Sequence, residues 1–105
     1  MKEITVAELK AMKDNNEVFQ LIDVREQHEY DAVQIGGILI PMGNVMDEQE
    51  KINRDKKVII HCRSGARSAA IISALEKQFG FDNLYNLKGG IKAYSIEIDN
   101  TLIVN

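Results

Sequence analysis

A cysteine followed closely by two arginines and a glycine is the pattern in this sequence that most directly suggests chemistry. The segment reads Cys62-Arg63-Ser64-Gly65-Ala66-Arg67-Ser68, and it comes directly after an apolar run that ends at His61. The thiolate is the nucleophilic form of cysteine, and nearby cations or a helix N-terminus lower the pKa of a thiol. We therefore interpret Cys62 as a nucleophile whose negative charge the arginines and the loop backbone stabilise.

The backbone of this loop is a second reason to expect anion binding. Backbone N–H groups converge in a short loop between a strand and a helix, and the helix N-terminus carries partial positive charge. Gly65 allows the chain to turn tightly at this point. An inert, buried core cysteine is the alternative for a lone thiol after an apolar strand. Such a cysteine needs no arginine on each side of its turn, so the pattern favours the nucleophile.

Strands and helices alternate along the hydrophobic pattern, which places the loop at the edge of a sheet. Apolar runs predict strands over residues 18–24, 38–40, 57–61 and 84–87, with a further edge strand over 101–104. Helical spacing and capping residues predict helices over 6–13, 27–32, 44–54, 68–79 and 91–98. This order favours an α/β fold with a mostly parallel sheet of about five strands and helices on both faces. Ligands bind at the carboxyl ends of such strands, where Cys62 falls.

Three other polar residues adjoin the predicted strands. His61 directly precedes Cys62, and strand alternation turns the two side chains to opposite faces. We therefore expect His61 to be structural rather than a general base. Asp23 and Arg25 stand at the end of the first long strand, where an arginine–carboxylate pair would brace the loop of the neighbouring strand. We expect structural support from this pair rather than catalysis.

The composition limits the kind of protein that carries this loop. The 105 residues allow one domain, and 45% hydrophobic with 28% charged residues suit a globular chain. A net charge of −3 weighs against nucleic acid or an anionic membrane as the main partner. One cysteine excludes an internal disulfide and a metal site made of cysteines alone. Without an apolar run of membrane-spanning length or a signal-like N-terminus, we expect a cytoplasmic protein.

Four segments, in order along the chain, resemble the rhodanese-like domain of single-domain sulfurtransferases. They are Leu21-Ile22-Asp23-Val24-Arg25-Glu26 with Glu29-Tyr30, then Ile35-Gly36-Gly37-Ile38-Leu39-Ile40-Pro41, then the loop from Cys62 to Ser68, and finally Gly89-Gly90-Ile91-Lys92-Ala93-Tyr94. The resemblance covers about residues 4–95 and leaves the tail over 99–105 unassigned. Three positions depart from the usual pattern of the family, namely Gln34, Gly36 and Tyr94.

The resemblance implies a transferase in which Cys62 takes up a sulfane sulfur as a persulfide. The loop residues that would bind the outer sulfur and the donor are Arg63, Ser64, Gly65, Ala66, Arg67 and Ser68. Among them, Arg63 and Arg67 would attract a small anionic donor such as thiosulfate. The persulfide would pass its sulfur to a thiol, to cyanide or to a protein cysteine, and a sulfur-relay protein is one such partner. The family uses neither a metal nor an organic cofactor, so none is expected here.

Two further functions use a similar loop or fold. A cysteine-dependent phosphatase or arsenate reductase also holds a thiolate in an anion-binding loop, but it needs one more residue between the cysteine and the arginine. Only four residues separate Cys62 from Arg67, which leaves a smaller ring of backbone. A domain of this fold can also bind a protein without catalysis, although the presence of Cys62 counts against that role.

Overall fold

Five parallel strands form the sheet at the centre of the computed structural model, which describes residues 1–105. Their bounds are Glu3–Ile4 (β1), Gln20–Asp23 (β2), Ile38–Leu39 (β3), Val58–His61 (β4) and Leu84–Leu87 (β5). The order across the sheet is β1-β5-β4-β2-β3, and all four pairings are parallel. The α/β fold expected from the sequence is therefore confirmed, with β4 in the middle of the sheet.

Three helices connect strands and a fourth follows β5; their bounds are Val6–Asp14 (α1), Gln27–Ala32 (α2), Ala66–Phe79 (α3) and Gly90–Glu97 (α4). Thr5 begins α1 through a capping box: its hydroxyl accepts the Glu8 N–H at 3.1 Å, and the Glu8 carboxylate accepts the Thr5 N–H at 3.1 Å. Gly80 directly follows α3 and adopts the left-handed conformation that is common at the C-terminus of a helix. No helix of the structure has both the length and the apolar character that a membrane crossing requires.

The helices cover both faces of the sheet and divide the hydrophobic core in two. Successive side chains of a strand point to opposite faces, so β4 directs Ile60 to one face and Ile59 to the other. Helix α3 packs on the face of Ile60, whereas α1 and α4 pack on the face of Ile59. Cys62 belongs to the α3 side, as strand alternation predicts from its spacing to Ile60.

The predicted helix over residues 44–54 is wrong. The chain instead makes two short 3₁₀ turns, Met42–Asn44 and Gln49–Lys51, joined by further turns. In this stretch only Val45 and Ile52 are buried, with Met46 packed partly against the core. The residues between Val45 and Ile52 are mostly charged, so a helix over them would lack an apolar stripe to pack against the core. Short helices without tertiary packing are marginal, so the segment follows the surface as turns.

The predicted edge strand over residues 101–104 is also wrong, and the sheet has β1 at that edge instead. β1 was absent from the sequence-based expectation, yet the Lys2 and Ile4 carbonyls accept the N–H groups of Asn86 and Lys88 at 2.9 and 2.8 Å. β1 pairs with β5 at this edge of the sheet, and residues 101–104 pair with no strand. The tail packs by burying Val104 against the α1 and α4 face of the core.

Three polar residues are buried at the carboxyl ends of β2 and β4. Asp23 and His61 are fully buried and directly opposite one another in the register, and Arg25 is 2% exposed. Neither ring nitrogen of His61 has a hydrogen-bond partner, and Nε2 lies 3.7 Å from Asp23 Oδ2. Burial lowers the pKa of His61 to about 4, against an opposing effect of the Asp23 charge. His61 is therefore neutral in the folded protein near pH 7.

The start of α4 supports the loop that follows β4. The N–H groups of Ile91 and Lys92 donate to the carbonyl oxygens of Cys62 and Arg63, at 2.9 and 3.0 Å. Gly90 makes this approach possible, since it has φ +61° and a Cβ added there would lie 2.4 Å from the Arg63 oxygen and 2.5 Å from the Cys62 oxygen. Any larger residue at this position must displace the loop or the helix.

The buried neutral His61 predicts that stability rises with pH between about 4 and 6.5. In that window the His61 ring is protonated in the unfolded chain and neutral in the folded protein. Acidification across the window therefore lowers the free energy of unfolding by about 3 kcal/mol. Replacing His61→Phe removes the proton-binding group and should flatten this part of the pH profile, measured by urea unfolding at several pH values. His28→Gln, at an exposed histidine, is the matched control and should keep the slope. An unchanged slope in His61→Phe would contradict the assignment.

The close contact at Gly90 predicts a large effect of a single methyl group. Gly90→Ala should lose at least ~2 kcal/mol more stability than Gly80→Ala, measured by chemical denaturation. Gly80 is the matched control because it has φ +68° but nothing within 4 Å of an added Cβ. The control therefore reports backbone strain alone, and the difference reports the clash with the loop. Equal losses in the two variants would show that α4 does not hold the loop in this way.

Candidate active site

Cys62 lies directly after β4, at the carboxyl end of the central strand, and α3 begins four residues later at Ala66. The turn between them passes through Gly65, whose φ of +103° belongs to the left-handed region that favours glycine. The loop from Cys62 to Ser68 thus has the strand–turn–helix setting that the sequence predicts. Within it Ser64 and Ala66 are exposed, whereas Cys62 and Ser68 are buried.

Backbone N–H groups of the loop converge on the Cys62 sulfur. The Gly65 N–H donates to Sγ at 3.1 Å, and the backbone of Ser64 and Ser68 also helps to lower the pKa of the thiol. Ser68 lies in the first turn of α3, so the helix N-terminus faces the sulfur as well. Only 1% of the surface of Cys62 is exposed. Cys62 therefore borders the hydrophobic core, but its sulfur also meets hydrogen-bond donors that suit a negative charge.

The Ser68 hydroxyl connects the sulfur to Asn86 on β5. Ser68 Oγ lies 3.4 Å from Cys62 Sγ and donates to Asn86 Oδ1 at 2.6 Å. The Asn86 amide in turn donates from Nδ2 to the Gly65 carbonyl at 3.1 Å. A hydroxyl has one proton, so while Ser68 donates to Asn86 it accepts from the neutral thiol. When the sulfur is ionised, the Ser68 hydroxyl can rotate and donate its proton to Sγ instead.

These contacts decide the acidity of the thiol. Burial raises the pKa of Cys62, but hydrogen bonds from the Ser68 hydroxyl and from the backbone of Ser68, Gly65 and Ser64 outweigh it. The pKa of Cys62 consequently lies below its ordinary value. The loop therefore favours the thiolate, which is the reactive form.

The two loop arginines have different partners. Arg67 forms a bidentate ion pair with Glu29 of α2, with Nη1–Oε1 at 2.8 Å and Nη2–Oε2 at 3.1 Å. Arg63 donates from Nε to the main-chain oxygen of Asn105 at 2.6 Å. The tail therefore reaches back to the loop, although the sequence left it unassigned. Each contact spans a long stretch of chain, 38 and 42 residues.

Asp23 and Arg25 pair with one another as the sequence predicts, but no bond from the pair braces the loop of the neighbouring strand. Arg25 donates from Nε and Nη2 to the Asp23 carboxylate at 2.8 to 3.1 Å, and a second bond from Nη2 reaches the Val33 carbonyl at 2.6 Å. The pair thereby ties the end of β2 to the residue that follows α2. It does not contact the loop directly, and its nearest link to Cys62 is His61, which faces Asp23 across the strands.

Sequence reasoning missed Glu29 and Asn86. Glu29 falls within the first family-like segment, which is the one signal the sequence offered for it. Asn86 sits in an apolar strand 18 residues after Ser68, and nothing in the local pattern connects them. Both contacts arise only when the sheet brings the ends of its strands together.

Comparison with known proteins identifies the family. The family model for the rhodanese-like domain matches residues 5–97. The putative sulfurtransferase YtwF of Bacillus subtilis is 37% identical over 98 residues, which cover 92% of this chain and 93% of that protein. The putative sulfur carrier protein YrkF of the same organism is 32% identical over 94 residues, which cover 89% of this chain and 50% of that protein.

A solved structure and several longer relatives complete the comparison. The crystal structure of a rhodanese-like domain protein from Staphylococcus aureus superposes with a TM-score of 0.84 and 33% identity, covering 100% of this chain and 99% of that one. Other curated relatives are much longer, and this chain spans only 26% to 36% of their length. The match to the family model over most of the chain agrees with the fold and the loop described above. The chain belongs to the rhodanese-like domain family.

Proposed function

We propose that this domain is a sulfurtransferase, or persulfide carrier, that works through a persulfide on Cys62. The observation that carries the proposal is the convergence of loop N–H groups on a sulfur whose pKa lies below its ordinary value. Relatives named sulfurtransferase and sulfur carrier support the same class of reaction. We further propose a cytoplasmic location, because a reducing compartment keeps a lone thiol available.

The reaction proceeds in two displacements at the same sulfur. In the first, the Cys62 thiolate attacks the sulfane sulfur of a donor such as thiosulfate, and the donor's S–S bond breaks. Sulfite leaves with the bonding electron pair, and Cys62 carries a persulfide anion. In the second, a thiolate or cyanide attacks the outer sulfur, and the Cys62 thiolate is released again. Since the N–H groups of Gly65, Ser64 and Ser68 face the sulfur, they stabilise the negative charge throughout.

The acceptor must lie outside this domain. The domain has a single cysteine, so it holds no second thiol that could resolve the persulfide into a disulfide. A small thiol, cyanide or the cysteine of a sulfur-relay protein would serve as the acceptor. This requirement suits a carrier that hands on one sulfur atom at each turnover.

Incubation with thiosulfate should add the mass of one sulfur atom to the intact protein. Mass spectrometry under non-reducing conditions measures the gain, and a thiol reductant should remove it. Cys62→Ser should gain nothing, since the serine hydroxyl has no ionised form at neutral pH that attacks sulfur. If Cys62→Ser gains the same mass, the sulfur is carried elsewhere and the proposal is wrong.

Removal of the Ser68 hydroxyl should raise the pKa of Cys62. Ser68→Ala deletes the side-chain hydrogen bond that favours the thiolate and leaves the burial that disfavours it. The midpoint of the pH profile for alkylation by iodoacetamide should therefore move upward. Ser64→Ala is the matched control, because Ser64 acts on the sulfur through its backbone N–H, which alanine keeps. A midpoint that stays unchanged in Ser68→Ala would exclude this role for the hydroxyl.

A further inference from the structure

The charge of Arg67 is cancelled by a carboxylate on another element. Glu29 meets the Arg67 guanidinium through two parallel hydrogen bonds, and its Oε1 also accepts the Glu26 N–H at 3.0 Å. The Glu29 and Arg67 side chains are 23% and 35% exposed, so the pair is partly shielded from solvent. Bidentate pairs of this kind hold both groups in a defined geometry. The guanidinium is thereby kept at the loop while its net charge is neutralised.

Glu29 remains ionised under ordinary conditions. The hydrogen bond from Arg67 lowers the pKa of Glu29 to about 2, against an opposing effect of burial. The pKa of Arg67 is raised, first by Glu29 and also by the charge on Cys62. The ion pair is therefore within electrostatic reach of the reacting sulfur. Both partners keep their charges over the whole working range of pH.

Glu29 consequently offsets one of the two positive charges that the loop arginines would offer to a donor. Arg63 and Arg67 contribute two positive charges and Glu29 one negative charge, and Arg63 pairs with no acidic side chain. Because Glu29 and the Cys62 thiolate are both negative, they disfavour a dianion such as thiosulfate more than a donor with a single negative charge.

The space beside the ion pair also suits a donor with an organic group. A cavity of about 300 Å³ lies between α2 and the tail, and Glu29 is part of its wall. Apolar side chains of Ala32, Val33, Ile103 and Val104 line it as well. No residue of the loop lines this cavity, but its wall includes Glu29 and Asn105, which contact Arg67 and Arg63. A carbon substituent that extends past these arginines would therefore meet an apolar surface.

We propose that Glu29 is a specificity-determining residue, which makes the Cys62 site prefer monoanionic organic sulfane donors over the thiosulfate dianion. The proposal rests on the sulfur transfer proposed above and names the donor class for it. An organic persulfide supplies its outer sulfur to the Cys62 thiolate while its S–S bond breaks and the thiolate of the donor leaves with the electron pair. The product is the same Cys62 persulfide that thiosulfate would form.

Thiosulfate and methanethiosulfonate form the matched pair of probes. In both, the Cys62 thiolate attacks the terminal sulfur and the S–S bond breaks. Sulfite leaves from thiosulfate, and methanesulfinate leaves from methanethiosulfonate, each with the bonding electron pair. The two ions differ only in that a methyl group replaces one charged oxygen. The ratio of their second-order rate constants for persulfide formation therefore reports selection by charge.

Glu29→Gln should raise the ratio of thiosulfate to methanethiosulfonate rates on the order of tenfold. Glutamine keeps an oxygen for the Glu26 N–H, so the start of α2 is preserved while the charge is lost. The gain should shrink as salt is added, because screening weakens the interaction. Asp31→Asn, on the same helix and with the same change in net charge, is the control and should leave the ratio unchanged. An equal rise in the control would overturn the proposal.

Substitutions of Arg67 complete the test. Arg67→Gln leaves Glu29 uncompensated and should lower the ratio, whereas the double variant Glu29→Gln with Arg67→Gln should return it close to that of the unmodified protein. If both donors load Cys62 but the ratio is the same in all variants, the role of Glu29 is wrong and the sulfur transfer stands. If neither donor loads Cys62 in the unmodified protein, the proposed function fails and this inference falls with it.

Discussion

The ring of N–H donors around the Cys62 sulfur is the interaction on which the rest of the site depends. The sulfur is almost completely buried, and a negative charge in such a place is costly unless hydrogen bonds replace the lost water. Backbone groups of Gly65, Ser64 and Ser68 provide that replacement. Because these donors belong to the main chain, their positions do not depend on side-chain rotation. The site is therefore preorganised for charge rather than assembled by its ligand.

The fold holds this ring from three sides. β4 ends directly before Cys62 and is flanked by β2 and β5, so the start of the loop is anchored in the middle of the sheet. The first N–H groups of α4 hold the carbonyls of Cys62 and Arg63, and Gly90 permits that contact. Asn86 on β5 binds both the Ser68 hydroxyl and the Gly65 carbonyl. The loop is thus tied to elements on both faces of the sheet, which restricts its movement.

The sign of the charge around the loop differs from that of the net charge of the chain. The chain has a net charge of −3, yet two arginines stand next to the reacting sulfur. The structure engages Arg67 with Glu29, and Arg63 with a main-chain oxygen of the tail. The presence of basic residues in a loop consequently says little about the charge that a ligand meets. That charge depends on which acidic residue the fold brings within reach of them.

Short-range patterns in the sequence predicted the type of fold, the bounds of α1 to within one residue, the end of α3, and the placement of His61 and Cys62 on opposite faces of the sheet. Each of these follows from contacts within a few residues, such as the Thr5–Glu8 capping box or the alternation along β4. The expected helix over 44–54 did not form because it lacked an apolar stripe, and residues 101–104 pack through Val104 instead of forming a strand. Glu29 and Asn86 entered the site only through the tertiary structure. Their partners lie 38 and 18 residues away, and only the order of strands in the sheet decides which distant side chains meet at the carboxyl end of β4.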